Sequence, residues 1–224
     1  GNPRWGTDTK DYQSTMAAFD SSLQKLGLEY IDLYLIHAPF AINDRVEQWR
    51  ACCDLKQKGK ALSVGVSNYN RKHIQEIKTA GLANPDANQI ELHPWCQKPE
   101  LVSFLKEEQI TIIAYSSLVP LTNWRTEPGQ HSCKTDTMKG YGVADVSYFE
   151  KVAKKYRVTV AQLLLRWAVQ KGYAVLPKTV SGKRMEENFK ILHFQIDNID
   201  MLDIGKMNRG DGVAWRSGDP CQSE

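Results

Sequence analysis

The chain has 224 residues, a hydrophobic content of 42% and a formal net charge of +3 at pH 7, which suits a soluble protein with one large domain or two small ones. Its cations are scattered, which disfavours nucleic-acid binding, and no run approaches the roughly 20 apolar residues of a membrane-spanning helix. Five cysteines, with no Cys-x-x-Cys and no His/Cys ligand spacing, argue against a disulfide framework and a metal site. They favour a reducing compartment, and we expect the cytoplasm.

Apolar residues recur at helical or strand spacing and divide the chain into alternating elements. The pattern predicts, in order, a helix over 11–26, a strand over 30–37, a helix over 44–58, a strand over 62–68, a helix over 71–80, a strand over 88–93, a helix over 99–108 and a strand over 111–116. Residues 118–142 are too long and polar for a plain connection and are predicted to form a functional loop. Helices over 144–156 and 160–170, a strand over 173–177, helices over 183–192 and 199–207, and a polar tail over 209–224 follow.

This alternation of helix and apolar strand predicts parallel βα units with a sheet buried on both faces. In the first strand, one face is expected to carry Ile31, Leu33, Leu35 and, at the C-terminal end, His37. In the helix after it, the apolar side is expected to contain Val46, Trp49, Cys53 and Leu55. The chain has no Gly-x-Gly-x-x-Gly after a strand and no Gly-x-Ser-x-Gly elbow, so a doubly wound dinucleotide domain and an α/β-hydrolase lose support.

The stretch from residue 175 to 189 combines a short apolar strand, a cationic loop and a helix start. Lys178 and Arg184 bracket Thr179, Ser181 and Gly182, which places two cations and two hydroxyls where a helix presents free N–H groups. This combination favours a phosphate as ligand, although solvated helix starts share the same composition. On the helix, residue 187 is a glutamate that can hold the Arg184 guanidinium.

Polar residues also end each of the five predicted strands, and in a barrel of βα units these ends build the active site. They are His37; Ser67 and Asn68; Glu91 and His93; Tyr115 and Ser116; and Lys178 and Thr179. Each has an ordinary structural interpretation when taken singly. Together they suit a nicotinamide, since Tyr115 can stack on a ring while Ser67, Asn68 and Gln89 hydrogen-bond a carboxamide. His37 can then hydrogen-bond a carbonyl oxygen during hydride transfer.

Five segments, in this order, resemble signatures of the aldo-keto reductases: LGLEYIDLYLIH (26–37), VGVSNY (64–69), NQIELHP (88–94), IAYS (113–116) and PKTVSGKRMEEN (177–188). The resemblance implies that the cofactor is NADPH or NADP+ and that His37 is the catalytic histidine. It implies carboxamide contacts from Ser67, Asn68 and Gln89 and ring stacking by Tyr115. It further implies pyrophosphate contacts from Ser116 and Leu118, a 2'-phosphate grip by Lys178, Thr179 and Arg184, and adenine contacts from Glu187 and Asn188.

The family's fold is a (β/α)8 TIM barrel, of which this chain is expected to supply the fourth to eighth βα units as a single domain, residues 1–224, with a tail loop over 209–224. The first three units, and with them the family's catalytic Asp, Tyr and Lys, are then expected ahead of Gly1. Lys10 and Tyr12 do not match them, because Lys10 precedes a helix rather than ending a strand. Many relatives place Trp where this chain has Ala38, which reshapes one wall of the substrate pocket.

The resemblance therefore implies NADPH-dependent reduction of an aldehyde or ketone to an alcohol, with the reverse oxidation equally allowed by the residues. The alternative is a truncated, catalytically inactive NADPH-binding protein that acts as a sensor or structural protein. The partner is expected to be a small carbonyl compound rather than nucleic acid or membrane. Specificity is expected to depend on residues 118–142 and on the tail, where Trp215 is the candidate substrate contact. The physiological substrate and the oligomeric state stay open.

Overall fold

The computed structural model describes residues 10–121, 133–210, 212–215 and 218–224, and within 133–144 it describes the backbone alone. The helices of these residues are α1 (Tyr12–Leu26), α2 (Arg45–Gln57), α3 (Arg71–Thr79), α4 (Pro99–Glu107), α5 (Cys133–Tyr156), α6 (Val160–Gln170), α7 (Gly182–Phe189) and α8 (Asn198–Gly205). The strands are β1 (Ile31–Ile36), β2 (Ala61–Ser67), β3 (Ala87–Glu91), β4 (Thr111–Tyr115) and β5 (Ala174–Val175), and short 3-10 helices cover Val119–Leu121, Lys190–Leu192 and Pro220–Gln222. The predicted alternation of helix and strand is confirmed.

Helix ends follow from local capping chemistry. The Asp11 carboxylate accepts a hydrogen bond from the backbone N–H of Ser14 at the start of α1, and Gly27 ends this helix with a φ of 66°. Thr159 caps α6, and the Gln162 side chain reaches back to the Thr159 backbone N–H to complete a capping box. These interactions satisfy backbone groups that have no partner inside a helix, so they fix where each helix begins and ends.

The chain forms two compact units. The first comprises Gly1–Ile90, Ser103–Thr111 and Pro220–Glu224, and the second comprises Glu91–Val102 and Ile112–Asp219. In the first unit, β1, β2 and β3 pair in parallel in chain order, with Ser67 opposite Gln89. In the second unit, β4 pairs in parallel with β5. Within each unit, parallel pairing brings the C-terminal ends of neighbouring strands to one edge.

Each unit has its own buried core. The fully buried side chains of the first unit include Phe19, Trp49, Leu55, Ile74 and Ile77. Those of the second include Phe149, Leu163, Leu164 and Trp167. Burial of such side chains stabilises each by about 1.5–3 kcal/mol relative to exposure. The helices α2 and α3 therefore contribute to the core of the first unit, and α5 and α6 to that of the second.

The predicted buried side of α2 was wrong in part. Trp49 and Leu55 are buried as expected, but Val46 and Cys53 are only half-buried, and the buried face also contains Arg45, Gln48, Ala51 and Cys52. Polar partners explain the difference. The Arg45 guanidinium forms an ion pair with Glu76 at 2.6 Å and donates to the Glu224 carbonyl, also at 2.6 Å. These partners offset part of the cost of burying the cation.

The first strand departs from the expected burial on both faces. Asp32 is exposed, and the column of Ile31, Leu33 and Leu35 is half-buried. Within the first unit, β1 pairs with β2 alone among the described strands, so it has one neighbour rather than two. Because an edge strand is covered less completely than a central one, its side chains keep more exposure.

The predicted extent of the 118–142 loop was wrong. Residues 122–132 of the predicted 118–142 loop lie outside the described residues, but Cys133–Tyr156 is a single helix. Gly140 and Gly142 each lower helix stability by about 1 kcal/mol relative to Ala, yet extending an existing helix is easier than nucleating one. Within the described part of the 209–224 tail, Ala214, Asp219 and Cys221 are buried. No helix in the described part of the chain is both long and apolar enough to cross a bilayer.

Candidate active site

The end of β2 holds a hydrogen-bonded group of polar side chains in the first unit. The Asn68 side-chain amide donates to the His37 carbonyl oxygen at 3.1 Å and to the Ser67 hydroxyl oxygen at 3.0 Å. The Ser67 hydroxyl in turn donates to the Gln89 carbonyl oxygen at 2.8 Å. These bonds tie the C-terminal ends of β1, β2 and β3 to one another. The structure therefore brings together the three predicted carboxamide contacts and the backbone of His37.

Backbone geometry explains why an asparagine follows β2. Asn68 is fully buried and has a φ of 63°, in the left-handed region that side chains other than glycine and asparagine rarely adopt. Its backbone N–H donates to the Gln89 carbonyl at 2.9 Å, which continues the parallel pairing by one residue. The strand therefore ends with a sharp change of direction that points the Asn68 amide across the strand ends. Strained backbone of this kind concentrates at functional sites.

The carboxamide contacts differ in availability. Both amide hydrogens of Asn68 are already bonded within the protein, and so is the hydroxyl hydrogen of Ser67. The half-buried side-chain amide of Gln89, by contrast, makes no hydrogen bond within the residues that the structure describes. Gln89 is therefore the most available donor and acceptor for a ligand amide, while Ser67 and Asn68 chiefly hold the strand ends in place.

His37 is the first residue after β1 and has an exposed side chain next to the buried Ile36. Its carbonyl oxygen is fixed by Asn68, so the backbone that carries the imidazole is tied to the neighbouring strand. An exposed imidazole at the C-terminal end of a parallel strand can donate a hydrogen bond to a ligand oxygen. This position is compatible with a hydrogen bond from His37 to a substrate carbonyl oxygen, which stays a prediction.

In the second unit, β4 ends in a tight turn. Tyr115 is half-buried, and Ser116 after it has a φ of 57°. The Ser116 carbonyl accepts from the Val119 N–H at 3.0 Å, and the Leu118 carbonyl accepts from the Leu121 N–H at 3.0 Å. Ser116 is thus a second predicted site residue in the left-handed region. The turn keeps Tyr115, Ser116 and Leu118 close together at one strand end.

The cationic loop between β5 and α7 is arranged as an anion site in the second unit. Ser181 caps α7 by accepting from the Arg184 backbone N–H at 3.5 Å, and the Thr179 hydroxyl oxygen accepts from the Ser181 N–H at 3.2 Å. Both hydroxyls act as acceptors in these contacts and keep their hydrogens for a ligand. Lys178 and Arg184 are exposed and form no ion pair with any described residue. An anion bound here therefore meets no competing carboxylate within the described residues.

The expectation that Glu187 holds the Arg184 guanidinium is not met, since no ion pair joins them within the described part of α7. Glu187 and Asn188 are half-buried, and the Glu187 carbonyl accepts from the Gln162 side-chain amide at 2.9 Å. The helix is therefore anchored to α6 through its backbone. The Glu187 side chain stays available for the predicted adenine contact.

The sequence did not assign a role to Glu91 or His93, which form a buried pair in the second unit. The Glu91 carboxylate and the His93 Nε2 atom lie 2.9 Å apart, and each side chain is about 1% exposed. Glu91 also accepts from the backbone N–H groups of Val213 and Ala214 at 2.8 and 2.9 Å. His93 lies two residues after the end of β3, so neither this pair nor its partners in the tail follow from the strand pattern of the sequence.

The family of the chain follows from comparison with known proteins. Residues 1–209 match the sequence profile of the aldo/keto reductase family. The chain belongs to this family. The methylglyoxal reductase DkgA of Yersinia pestis is 35% identical over 202 residues, which are 89% of this chain and 66% of that protein. The glyoxal reductase of Bacillus subtilis is 33% identical over 209 residues, which are 93% of this chain and 68% of that protein.

Solved structures of aldo-keto reductases agree with this assignment. A Bombyx mori aldo-keto reductase in complex with NADP matches with a TM-score of 0.81 and 30% identity, over 94% of this chain and 68% of that one. The chain spans 70% and 65% of the length of two curated relatives, both uncharacterised oxidoreductases, from Schizosaccharomyces pombe and Bacillus subtilis. The fold of this aldo/keto reductase is therefore the family's TIM-barrel-like α/β fold with parallel strands. Of its predicted site residues, those at the ends of β1, β2 and β3 are joined by hydrogen bonds in the first unit.

Proposed function

We propose that this aldo/keto reductase binds NADPH and reduces an aldehyde or ketone to an alcohol. Membership of the family makes it an NADP-dependent oxidoreductase, and the observation that carries the cofactor proposal is the arrangement of the loop before α7. Two exposed cations, two hydroxyl hydrogens and the N-terminus of α7 are available there to an anion. A phosphate ester with two negative charges suits such a site.

The proposal gives each predicted site residue its own contact with the cofactor. In the first unit, Gln89 hydrogen-bonds the nicotinamide carboxamide, and Ser67 and Asn68 fix the backbone around it. In the second unit, Tyr115 stacks on the nicotinamide ring and Ser116 and Leu118 contact the pyrophosphate. The 2'-phosphate is held by Lys178, Thr179 and Arg184, and the adenine is contacted by Glu187 and Asn188.

The reaction divides between the cofactor and the chain. When bound, the reduced nicotinamide would supply a hydride to the carbonyl carbon, and the oxygen would take up a proton, ultimately from water, to give the alcohol. The chain's own contribution is to orient the carbonyl oxygen through a hydrogen bond from His37, which stabilises the negative charge that develops there. The Asn68 side-chain amide donates a hydrogen bond to the His37 backbone carbonyl and so holds this residue in place.

Relatives suggest the substrate class. Proteins named methylglyoxal reductase and glyoxal reductase are 35% and 33% identical to this chain, so small dicarbonyl compounds are the first substrates to test. Trp215 is the proposed substrate contact in the tail and is half-buried. Ala38, also half-buried, leaves room beside His37 for the substrate. We place the protein in the cytoplasm, with a small carbonyl compound as partner and without nucleic-acid or membrane binding.

We also propose which βα units of the family's barrel this chain forms. We assign the five parallel strands and their helices to the fourth to eighth βα units of an eight-unit barrel, in a single domain. The order of five βα units, followed by a tail, supports this assignment. So does the length match, because the chain spans 65% to 70% of the first curated relatives.

The cofactor assignment is tested by Arg184→Ala. The dissociation constants of NADPH and NADH are measured by fluorescence titration for the natural chain and the variant. We expect affinity for NADPH to fall by about tenfold or more, since a hydrogen bond between charged groups contributes about 1.5–3 kcal/mol. Affinity for NADH, which lacks the 2'-phosphate, is expected to change little. Lys190→Ala removes an exposed cation just after the other end of α7 and is the matched control.

Equal losses for the two nucleotides would contradict the 2'-phosphate assignment. Turnover is followed separately, as NADPH oxidation in the presence of methylglyoxal or glyoxal. NADPH binding without any turnover would favour the inactive NADPH-binding alternative over the reductase. Absence of NADPH binding would refute the proposed function altogether.

A further inference from the structure

Glu91, the last residue of β3, accepts hydrogen bonds from a segment near the C-terminus within the second unit. We call residues 212–215 the C-terminal segment. Glu91 accepts from the Val213 N–H at 2.8 Å through Oε1 and from the Ala214 N–H at 2.9 Å through Oε2. His93 occupies Oε1 as well, at 2.9 Å. Each carboxylate oxygen is thus directed at the backbone of the C-terminal segment.

A second buried carboxylate holds the start of the C-terminal segment. Asp219 accepts a hydrogen bond from the Gly212 N–H at 2.9 Å. It also forms an ion pair with Lys98. The side chains of Lys98 and Asp219 are 9% and 1% exposed, so this pair is shielded from water. Lys98 adopts a φ of 43°, an unusual conformation for a lysine that the surrounding contacts maintain.

Gly212 lies between the two carboxylates and cannot be replaced without a shift. A Cβ atom at this position would lie 2.4 Å from Glu91 Oε2 and 3.2 Å from Asp219 Oδ2. Only a residue without a side chain permits this approach. Two carboxylates so close repel each other, and the three backbone N–H groups, together with Lys98 and His93, offset the repulsion. The arrangement is complete only when the C-terminal segment is in place.

Burying a charged group without its partners costs free energy. Glu91 and Asp219 therefore hold the C-terminal segment in one position. Trp215 directly follows Ala214, whose N–H is bound by Glu91. We propose that Glu91 is a positioning residue: it fixes the C-terminal segment and with it Trp215, and thereby determines how well the carbonyl substrate binds. This inference rests on the proposed function, in which Trp215 contacts the substrate.

The test compares Glu91→Gln with the natural chain. The variant keeps the shape of the side chain but presents an N–H₂ group to backbone N–H donors, so at least one of the two segment contacts is lost. We expect hydrogen exchange of the Val213 and Ala214 amides, measured by mass spectrometry, to accelerate by about tenfold or more. We expect the KM for methylglyoxal to rise, with the NADPH dissociation constant unchanged. Glu150→Gln, the same change at an exposed position of α5, is the control.

Gly212→Ala provides a second variant that moves the C-terminal segment without removing a charge, in case Glu91→Gln fails to fold. It is expected to produce the same rise in KM. Faster exchange with an unchanged KM in either variant would refute the proposal, because the segment would then be anchored without affecting substrate. Unchanged exchange in Glu91→Gln would also refute it. If the natural chain binds no NADPH, the proposed function fails, and exchange still decides whether Glu91 holds the segment.

Discussion

His73 should make the first unit sensitive to acid, because it is buried in the neutral form. It is the third residue of α3, and its side chain is fully buried. Its Nδ1 atom accepts from the Asn70 backbone N–H at 3.1 Å, which leaves the ring hydrogen on Nε2. The Nε2 atom lies 3.0 Å from the Ser223 carbonyl and donates to it. A protonated ring would have to give up the contact with Asn70.

Burial, together with the nearby Arg45 cation, lowers the pKa of His73 from its ordinary 6.5 to about 4. The unfolded chain takes up a proton below about pH 6.5, whereas the folded chain does not do so until about pH 4. Stability therefore falls as the pH falls through this range and is fully present above it. The loss is about 2 kcal/mol by about pH 5 and approaches about 3 kcal/mol near pH 4.

The comparison that isolates this effect is His73→Gln. A glutamine at the third helical position can still reach the backbone N–H of the Asn70 cap, so the helix start is retained while the titratable ring is removed. The free energy of unfolding is measured by urea denaturation at several pH values between about 7 and 4. Other groups, such as Glu108 with its pKa lowered by Lys78, also make the protein less stable in acid. They do so equally in both proteins, so the difference between the two curves reports His73.

We expect the natural chain to lose about 3 kcal/mol relative to His73→Gln between these pH values. At neutral pH the variant should be the less stable protein, since it lacks the bond to Ser223 and the edge-to-face contact of the ring with Tyr69. Parallel curves for the two proteins would refute the reasoning. That result would mean that the folded chain accepts a proton on His73 as readily as the unfolded one.

Three further predictions follow from individual residues. Gly65→Ala should lower the free energy of unfolding by about 1–3 kcal/mol, because the new Cβ would lie 2.5 Å from the Ala87 carbonyl oxygen; an unchanged urea midpoint would contradict this. Cys52, whose pKa burial raises to about 12, should react with a maleimide only on unfolding, and labelling in the native protein as fast as that of the half-buried Cys53 would show otherwise. His37→Ala should reduce turnover by about a hundredfold while sparing NADPH affinity, and an unchanged rate would remove His37 from the mechanism.

Helix ends were predictable because their determinants are local. Asp11 bonds a residue three positions later, and Thr159 and Gln162 bond each other across the same interval. Gly27 ends a helix because it adopts a positive φ at no steric cost. Information of this kind lies within four residues of sequence. The resemblance to a family supplied the functional roles, which no local pattern can assign.

Contacts between distant residues were not predictable from periodicity. Glu91 and Val213 are 122 positions apart, Lys98 and Asp219 are 121 apart, and Arg45 lies 179 positions from Glu224. In each case a charged side chain is buried because a distant backbone or side-chain group meets it. The predicted buried face of α2 therefore omitted Arg45, whose partners lie far away in the sequence. The sequence around a charged residue does not show whether a distant residue will pair with it in the folded chain.

Some predicted site residues already form side-chain hydrogen bonds within the protein, whereas others do not. We expect the first group to orient a ligand and the second to contribute affinity for it. Ser67 and Asn68 are held before any ligand arrives, so they add rigidity without a further entropy cost on binding. Lys178 and Arg184 are exposed, and ordering each costs about 0.5–1.5 kcal/mol of rotamer freedom. Their attraction for a phosphate must exceed that cost, and it is screened by salt because both groups face water. We therefore expect the cationic loop to supply selectivity for a doubly charged ligand, and the bonded strand ends to fix the backbone that carries His37.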